Sequence, residues 1–258
     1  MRTLEGKRAE LLIRTRERRG MADLDAVEPQ VRRMVNDVRK HGEKALRRYA
    51  EKWDGIGKRE PIAVPQEEMQ RAWEETSPQF RVALKRAAVN IRRFCEWQRP
   101  KEWKREASPG VCIGQIVRPL GSVGCYVPGG RYPLPSTMLM TVIPAQVAGV
   151  PRTQVVSPRP ARETLAAAAF LGVKDFYRIG GAQAIAALAL GTDSVPRVEK
   201  IVGPGNKYVT AAKRLLAIGL CQGNELHALV LGRFDLRRLL AAGTLPGVGA
   251  LLLDDLDE

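Results

Sequence analysis

The residues most able to do chemistry stand at four short turns rich in glycine and proline. These are Tyr126-Val127-Pro128-Gly129-Gly130, Ser157-Pro158-Arg159-Pro160, Ile179-Gly180-Gly181-Ala182-Gln183 and Val202-Gly203-Pro204-Gly205-Asn206. Each ends a predicted strand and opens a predicted helix. Glycine there allows a positive φ and lets backbone N–H groups come close to a phosphate. A helix that begins next adds unpaired N–H donors and a positive dipole end. Gln183 and Asn206 stand where helices start and could hydrogen-bond a ribose or an amide. Tyr126 could stack on a ring or donate its hydroxyl. The plain structural reading of any single turn is a tight connection that needs glycine for its geometry. Four of them, two carrying an amide at the helix start, favour a bound ligand bearing phosphate. None is G-x-G-x-x-G, and Gly55-Ile56-Gly57 lacks the third glycine and follows no strand.

Nucleophiles and metal ligands are sparse. Ser136 and Thr137 follow the first turn, but the sequence offers no histidine to act on them. The pair Glu225 and His227 has the types for acid–base work, yet it sits in a segment with no other signature and is read as incidental. His41 lies on a basic helix and is read as solvated. With only two histidines in the chain, a metal site built mainly of imidazoles is not expected. The four cysteines, Cys95, Cys112, Cys125 and Cys221, are scattered without a C-x-x-C pair and are expected as buried or half-buried free thiols. No catalytic residue and no metal ligand is therefore assigned.

The elements that must position the turns follow from periodicity. Val27, Val31, Met34, Val38, Leu46, Tyr49 and Trp53 recur at helical spacing, with Gly42 as a possible break and Asp54-Gly55 as a stop. Glu67 to Glu75 reads as a short helix after Pro65. Ser77-Pro78 gives an N-cap and a proline at the first helical position, ahead of an apolar stripe of Phe80, Leu84, Ala87, Ile91 and Phe94. After Gly110 strands and helices alternate. Strands are expected at Val111–Val117, Val123–Val127, Arg152–Ser157, Asp175–Ile179 and Val198–Val202. Helices are expected at Ser136–Val150 (kinked or split by Pro144), Ala161–Leu171, Ala182–Leu190 and Asn206–Leu216. That grammar predicts an α/β fold: a Rossmann-like parallel sheet with helices on both faces, preceded by a mainly helical N-terminal region. In an open parallel sheet, ligands bind at the carboxyl ends of the strands, where the four turns lie. The expected divisions are 1–110, 111–216 and a tail, 217–258.

Composition excludes several classes. The 258 residues are 45% hydrophobic and 27% charged, a globular balance. No apolar run is long enough to span a bilayer, and the charged stretch Met1 to Arg19 does not resemble a signal peptide. A cytoplasmic protein without a membrane partner is expected. A net charge of +14 raises nucleic acid as a partner. The basic residues are dispersed among glutamates, however, and aromatics make up only 5% of the chain, leaving few stacking platforms. A solvated basic surface attracting an anionic cofactor is the preferred reading, with nucleic acid as the minority one.

The motifs at these turns resemble those of the histidinol dehydrogenases, from about Val27 to Leu216. The resemblance rests on Gly124-Cys125-Tyr126-Val127-Pro128-Gly129-Gly130, on Pro135-Ser136-Thr137-Met138-Leu139-Met140 leading to Ile143-Pro144-Ala145, on Gly180-Gly181-Ala182-Gln183-Ala184-Ile185-Ala186-Ala187-Leu188, and on Lys200-Ile201-Val202-Gly203-Pro204-Gly205-Asn206-Lys207-Tyr208-Val209. It implies an NAD-dependent oxidoreductase that carries L-histidinol to L-histidine in two hydride transfers, with zinc holding the substrate, working as an intertwined homodimer. It also implies that Tyr126, Gln183 and Asn206 contact NAD.

The resemblance stops abruptly near Leu216. The family's Gly-Pro-Ser-Glu segment, its zinc ligands and its Glu-His acid–base pair have no counterpart in 217–258, and Phe94-Cys95 stands where the family has Phe-His. The expectation is a truncated or frame-altered member with impaired catalysis. The alternatives are a non-catalytic NAD-binding remnant or regulatory paralogue and, behind it, a basic nucleic-acid-binding protein.

Overall fold

The computed structural model describes residues 6–129 and 133–220. Helix α1 (Lys7–Tyr49) buries Val27, Val31, Met34, Val35, Val38, Ala45 and Leu46, the face that three-to-four spacing predicts. Gly42 breaks the helical geometry at φ 51° and ψ −126°, a conformation glycine adopts at little cost. The chain then leaves α1 through a π-helical turn, Ala50–Asp54, closed by Gly55 at φ 74°. Helix α2 (Gln66–Glu74) follows Pro65, and α3 (Pro78–Gln98) begins as the sequence predicts. The Ser77 hydroxyl accepts from the Phe80 N–H at 3.1 Å, and Pro78 opens the helix.

Strands β1 (Trp103–Ser108) and β2 (Val111–Gln115) form an antiparallel hairpin that turns at Gly110. This departs from the sequence reading, which set Val111–Val117 at the head of the parallel series and did not anticipate β1. Val111 and Ile113 alternate as a half-buried strand would, yet every residue of both strands is exposed.

The main sheet contains β3 (Ser122–Tyr126), β4 (Arg152–Val156), β5 (Asp175–Tyr177) and β6 (Lys200–Val202), all parallel, in the order β5-β4-β3-β6. Helices α4 (Pro135–Val147), α5 (Arg162–Phe170), α6 (Gly181–Leu190) and α7 (Lys207–Leu220) connect or follow them. Pro144 lies inside α4 without splitting it. Side chains alternate along the strands, so two cores form. On one face Tyr126, Val156 and Tyr177 pack with α1, α6 and α7. On the other Cys125, Val155 and Phe176 pack with α2, α3, α4 and α5. The expected Rossmann-like architecture with helices on both faces is what forms.

Small residues set the spacing of the layers. A Cβ on Gly124 would lie 2.9 Å from Leu188 Cδ1, so this glycine lets alanine-rich α6 sit close on β3. The outer edge of β5 is covered by Ile62–Val64, an extended segment the sequence reading missed. There the Val64 N–H donates to Phe176 O at 2.8 Å, and the Arg178 N–H donates to Ile62 O at 2.9 Å.

Candidate functional site

Because β3, β4, β5 and β6 are parallel, the four turns leave one edge of the sheet together. Three of their five described glycines are required by packing between the turns. A Cβ on Gly129 would lie 2.3 Å from Pro158 O, and one on Gly180 would lie 2.4 Å from Pro158 Cβ. Gly203, at φ 107°, places its α-carbon where a Cβ would come within 2.1 Å of Tyr126 O. At these positions the plain structural reading is sufficient. Gly181 differs: at φ 63° its missing Cβ would fall 2.7 Å from Gln183 Oε1, so the Gln183 amide packs into the space the glycine leaves.

Tyr126 ends β3 and is only 3% exposed. Its hydroxyl accepts from the Gly181 N–H at 3.2 Å, which ties the end of β3 to the first turn of α6. The ring is therefore packed in the core, and stacking on a ligand ring, one of the two roles considered for it, does not fit this arrangement. Burial is the main cause that pushes the phenol above its ordinary range. Gln183, in the first turn of α6, is 2% exposed and donates from Nε2 to Asp54 Oδ2 at 3.1 Å. Asn206 stands before α7 and is exposed; its Oδ1 accepts from the N–H groups of Tyr208 (3.0 Å) and Val209 (3.2 Å), as an N-cap does. The fold thus joins Tyr126 and Gln183 through Gly181, and sets Asn206 at the end of neighbouring β6.

In the sequence Asp54 reads only as part of a helix stop. It is in fact a buried carboxylate at the heart of the group, accepting from Gln183 and from the backbone N–H of Gly180. Burial pushes its pKa up, opposed by those hydrogen bonds and by the charge of Arg159. Arg159 is a non-glycine residue at positive φ (43°), and its guanidinium donates to Trp53 O at 2.7 Å. Nothing local in the sequence marks Asp54 as buried; only its juxtaposition with Gln183 does. On the far side, the Lys213 amine donates to Gly203 O, and burial pushes its pKa down. Two of the N–H groups expected to face a phosphate, those of Gly180 and Gly181, are spent on Asp54 and Tyr126.

The remaining candidates lie apart from this group. Ser136 is exposed and Thr137 buried at the start of α4. His41 is exposed as expected but not merely solvated: Nδ1 lies 2.8 Å from the Asp37 carboxylate. Cys125 is buried, with burial raising its thiol to about 12, and Cys95 is half-buried. Cys112 corrects the expectation of sheltered thiols, because the β1–β2 hairpin leaves it exposed. Cys221, Glu225 and His227 lie outside the described residues. Among the described residues no group of three or more His, Cys, Asp or Glu side chains could hold a metal ion. No described helix is long and apolar enough to cross a membrane.

A family model described as histidinol dehydrogenase matches residues 17–223, most of the chain. The chain belongs to the histidinol dehydrogenase family. The match starts earlier and ends later than the segment Val27 to Leu216 on which the motifs rest. Among relatives, histidinol dehydrogenase of Methanothermobacter thermautotrophicus is 46% identical over 204 residues, covering 77% of this chain and 47% of the relative. That of Caldanaerobacter subterraneus is 48% identical over 192 residues, covering 72% and 44%. The crystal structure of histidinol dehydrogenase from Elizabethkingia anophelis superposes with a TM-score of 0.71 at 34% identity, covering 74% of this chain and 45% of that one. The chain spans about half the length of the histidinol dehydrogenases it matches. It is a member of an oxidoreductase family of histidine biosynthesis.

Proposed function

We propose that this chain is the NAD-binding portion of a histidinol dehydrogenase, with NAD held at the carboxyl edge of the sheet by Tyr126, Gln183 and Asn206. The observation that carries the reading is the close seat of the Gln183 amide on Gly181 at the start of α6, where an added Cβ would lie 2.7 Å from Oε1. The residues fit such a ligand. Gln183 offers an acceptor, the Asn206 cap uses only that amide's oxygen and leaves its N–H donors to a ligand, and Tyr126 holds Gly181 in place. NAD, when bound, accepts a hydride from the alcohol or aldehyde being oxidised. The chain's own residues orient the cofactor; none of the described residues has a supported role as proton acceptor.

Zinc does not fit the described residues, which contain no grouping able to ligate it. No step is drawn through it. We assign substrate binding and proton transfer to segments of a histidinol dehydrogenase outside the described residues. L-histidinol as the substrate, a cytoplasmic location and a homodimer are carried as parts of the same proposal. So is the division into a helical region at 1–110, a nucleotide-binding region at 111–216 and a divergent tail at 217–258. The second reading, a non-catalytic NAD-binding remnant, makes the same prediction for cofactor binding. Incubation of the purified chain with histidinol, NAD and zinc should give no NADH above background, while NAD alone should bind. Steady NADH formation would overturn the assignment of the chemistry to other segments.

A further inference from the structure

The Asp54–Gln183 pair brings the end of the N-terminal helical arm against the first turn of α6. Asp54 comes from the π-helical turn after α1, and Gln183 follows β5 by one turn. A glutamine amide can be turned two ways, exposing either its oxygen or its NH₂ to a ligand. Here the choice is made by the carboxylate. An ionised carboxylate only accepts, and Asp54 already accepts from the Gly180 N–H while receiving Gln183 Nε2 at 3.1 Å. The amide nitrogen is thereby committed to Asp54, and Oε1 is the amide atom set nearest Gly181.

We propose that Asp54 is a positioning residue that sets the polarity of the Gln183 amide, so that the bound nucleotide meets an acceptor and must present a donor there, a hydroxyl or a carboxamide N–H. This rests on the reading of the edge as an NAD site. Asp54 touches no ligand; it acts through Gln183. Asparagine at position 54 retains one acceptor. With that oxygen kept by the fixed Gly180 N–H, its own NH₂ would oppose Gln183 Nε2 and drive the amide to flip.

The test is a double-substitution cycle on NAD affinity, read by calorimetry, with thermal melts as the check on folding. Asp54→Asn should weaken NAD by about tenfold, the size of one lost hydrogen bond. Gln183→Ala should weaken it comparably, and the double variant should be no weaker than Gln183→Ala alone. In the unsubstituted chain, the side-chain amide protons of Gln183 should exchange slowly with solvent, a measurement independent of whether any variant folds. Unchanged affinity in Asp54→Asn overturns this inference while leaving the NAD site standing. So do losses that multiply in the double variant, or fast exchange of the Gln183 amide. Absence of NAD binding by the unsubstituted chain overturns the site and this inference together.

Discussion

Asp54 Oδ2 and Gln183 Nε2 lie 3.1 Å apart although 129 positions separate them in the sequence. The contact fastens the N-terminal arm to the carboxyl edge of the sheet, and it costs a buried charge. Burial raises the Asp54 pKa, so the folded chain holds the carboxyl proton more tightly than the unfolded chain does. The associated stability is present below the unfolded value near 3.8 and is lost as pH rises through the higher folded value. Asp54→Asn should therefore gain stability relative to the unsubstituted chain as pH rises, when urea midpoints are compared from acid to neutral pH. Asp54→Ala should be less stable than Asp54→Asn by about 1–3 kcal/mol, because it leaves two buried donors unpaired.

Gly181→Ala probes the seat of the Gln183 amide. The added methyl would meet Gln183 Oε1 at 2.7 Å from a backbone at φ 63°. A strain of about 1–3 kcal/mol is expected in urea unfolding. NAD affinity should fall at least tenfold if the ligand reaches the amide oxygen through that space. Retained affinity would move the ligand elsewhere on the edge.

Gln154 presents the opposite situation to Gln183. It sits in the middle of β4, fully buried, with neither Nε2 nor Oε1 hydrogen-bonded. An unpaired buried amide costs about 1–3 kcal/mol, and an apolar side chain of similar volume removes that cost. Gln154→Met should raise the melting temperature; a lower one would show that the amide is satisfied in solution.

The thiols give a check on the fold itself. In a Cys221→Ser background, alkylation followed by peptide mapping should label Cys112 first, Cys95 more slowly, and Cys125 only after unfolding. Exposure falls in that order, and burial holds the Cys125 thiol near 12.

Much of this architecture was legible in the residues, because the signals were local. Ser77-Pro78 announces α3, Gly42 and Gly55 punctuate the arm, and alternation after Ser122 specifies the parallel strands within a residue or two. The four turns were found where strands end, and the amides of Gln183 and Asn206 at helix starts. What stayed hidden depends on tertiary contact. Val111 and Ile113 carry a strand's alternation but no core covers them, so the hairpin was misplaced into the main sheet. The cover that Ile62–Val64 gives to β5 has no periodicity to betray it. The spending of the Gly180 and Gly181 N–H groups on Asp54 and Tyr126 could not be read from either segment alone. For the same reason the turn glycines read as a ligand's, although Pro158 and Tyr126 account for Gly129, Gly180 and Gly203.

NAD binding at this edge is tested most directly by calorimetric titration of the purified chain with NAD. Saturable binding that weakens about tenfold in Gln183→Ala and again in Asn206→Ala is predicted. No detectable binding, or binding that neither substitution alters, would contradict it.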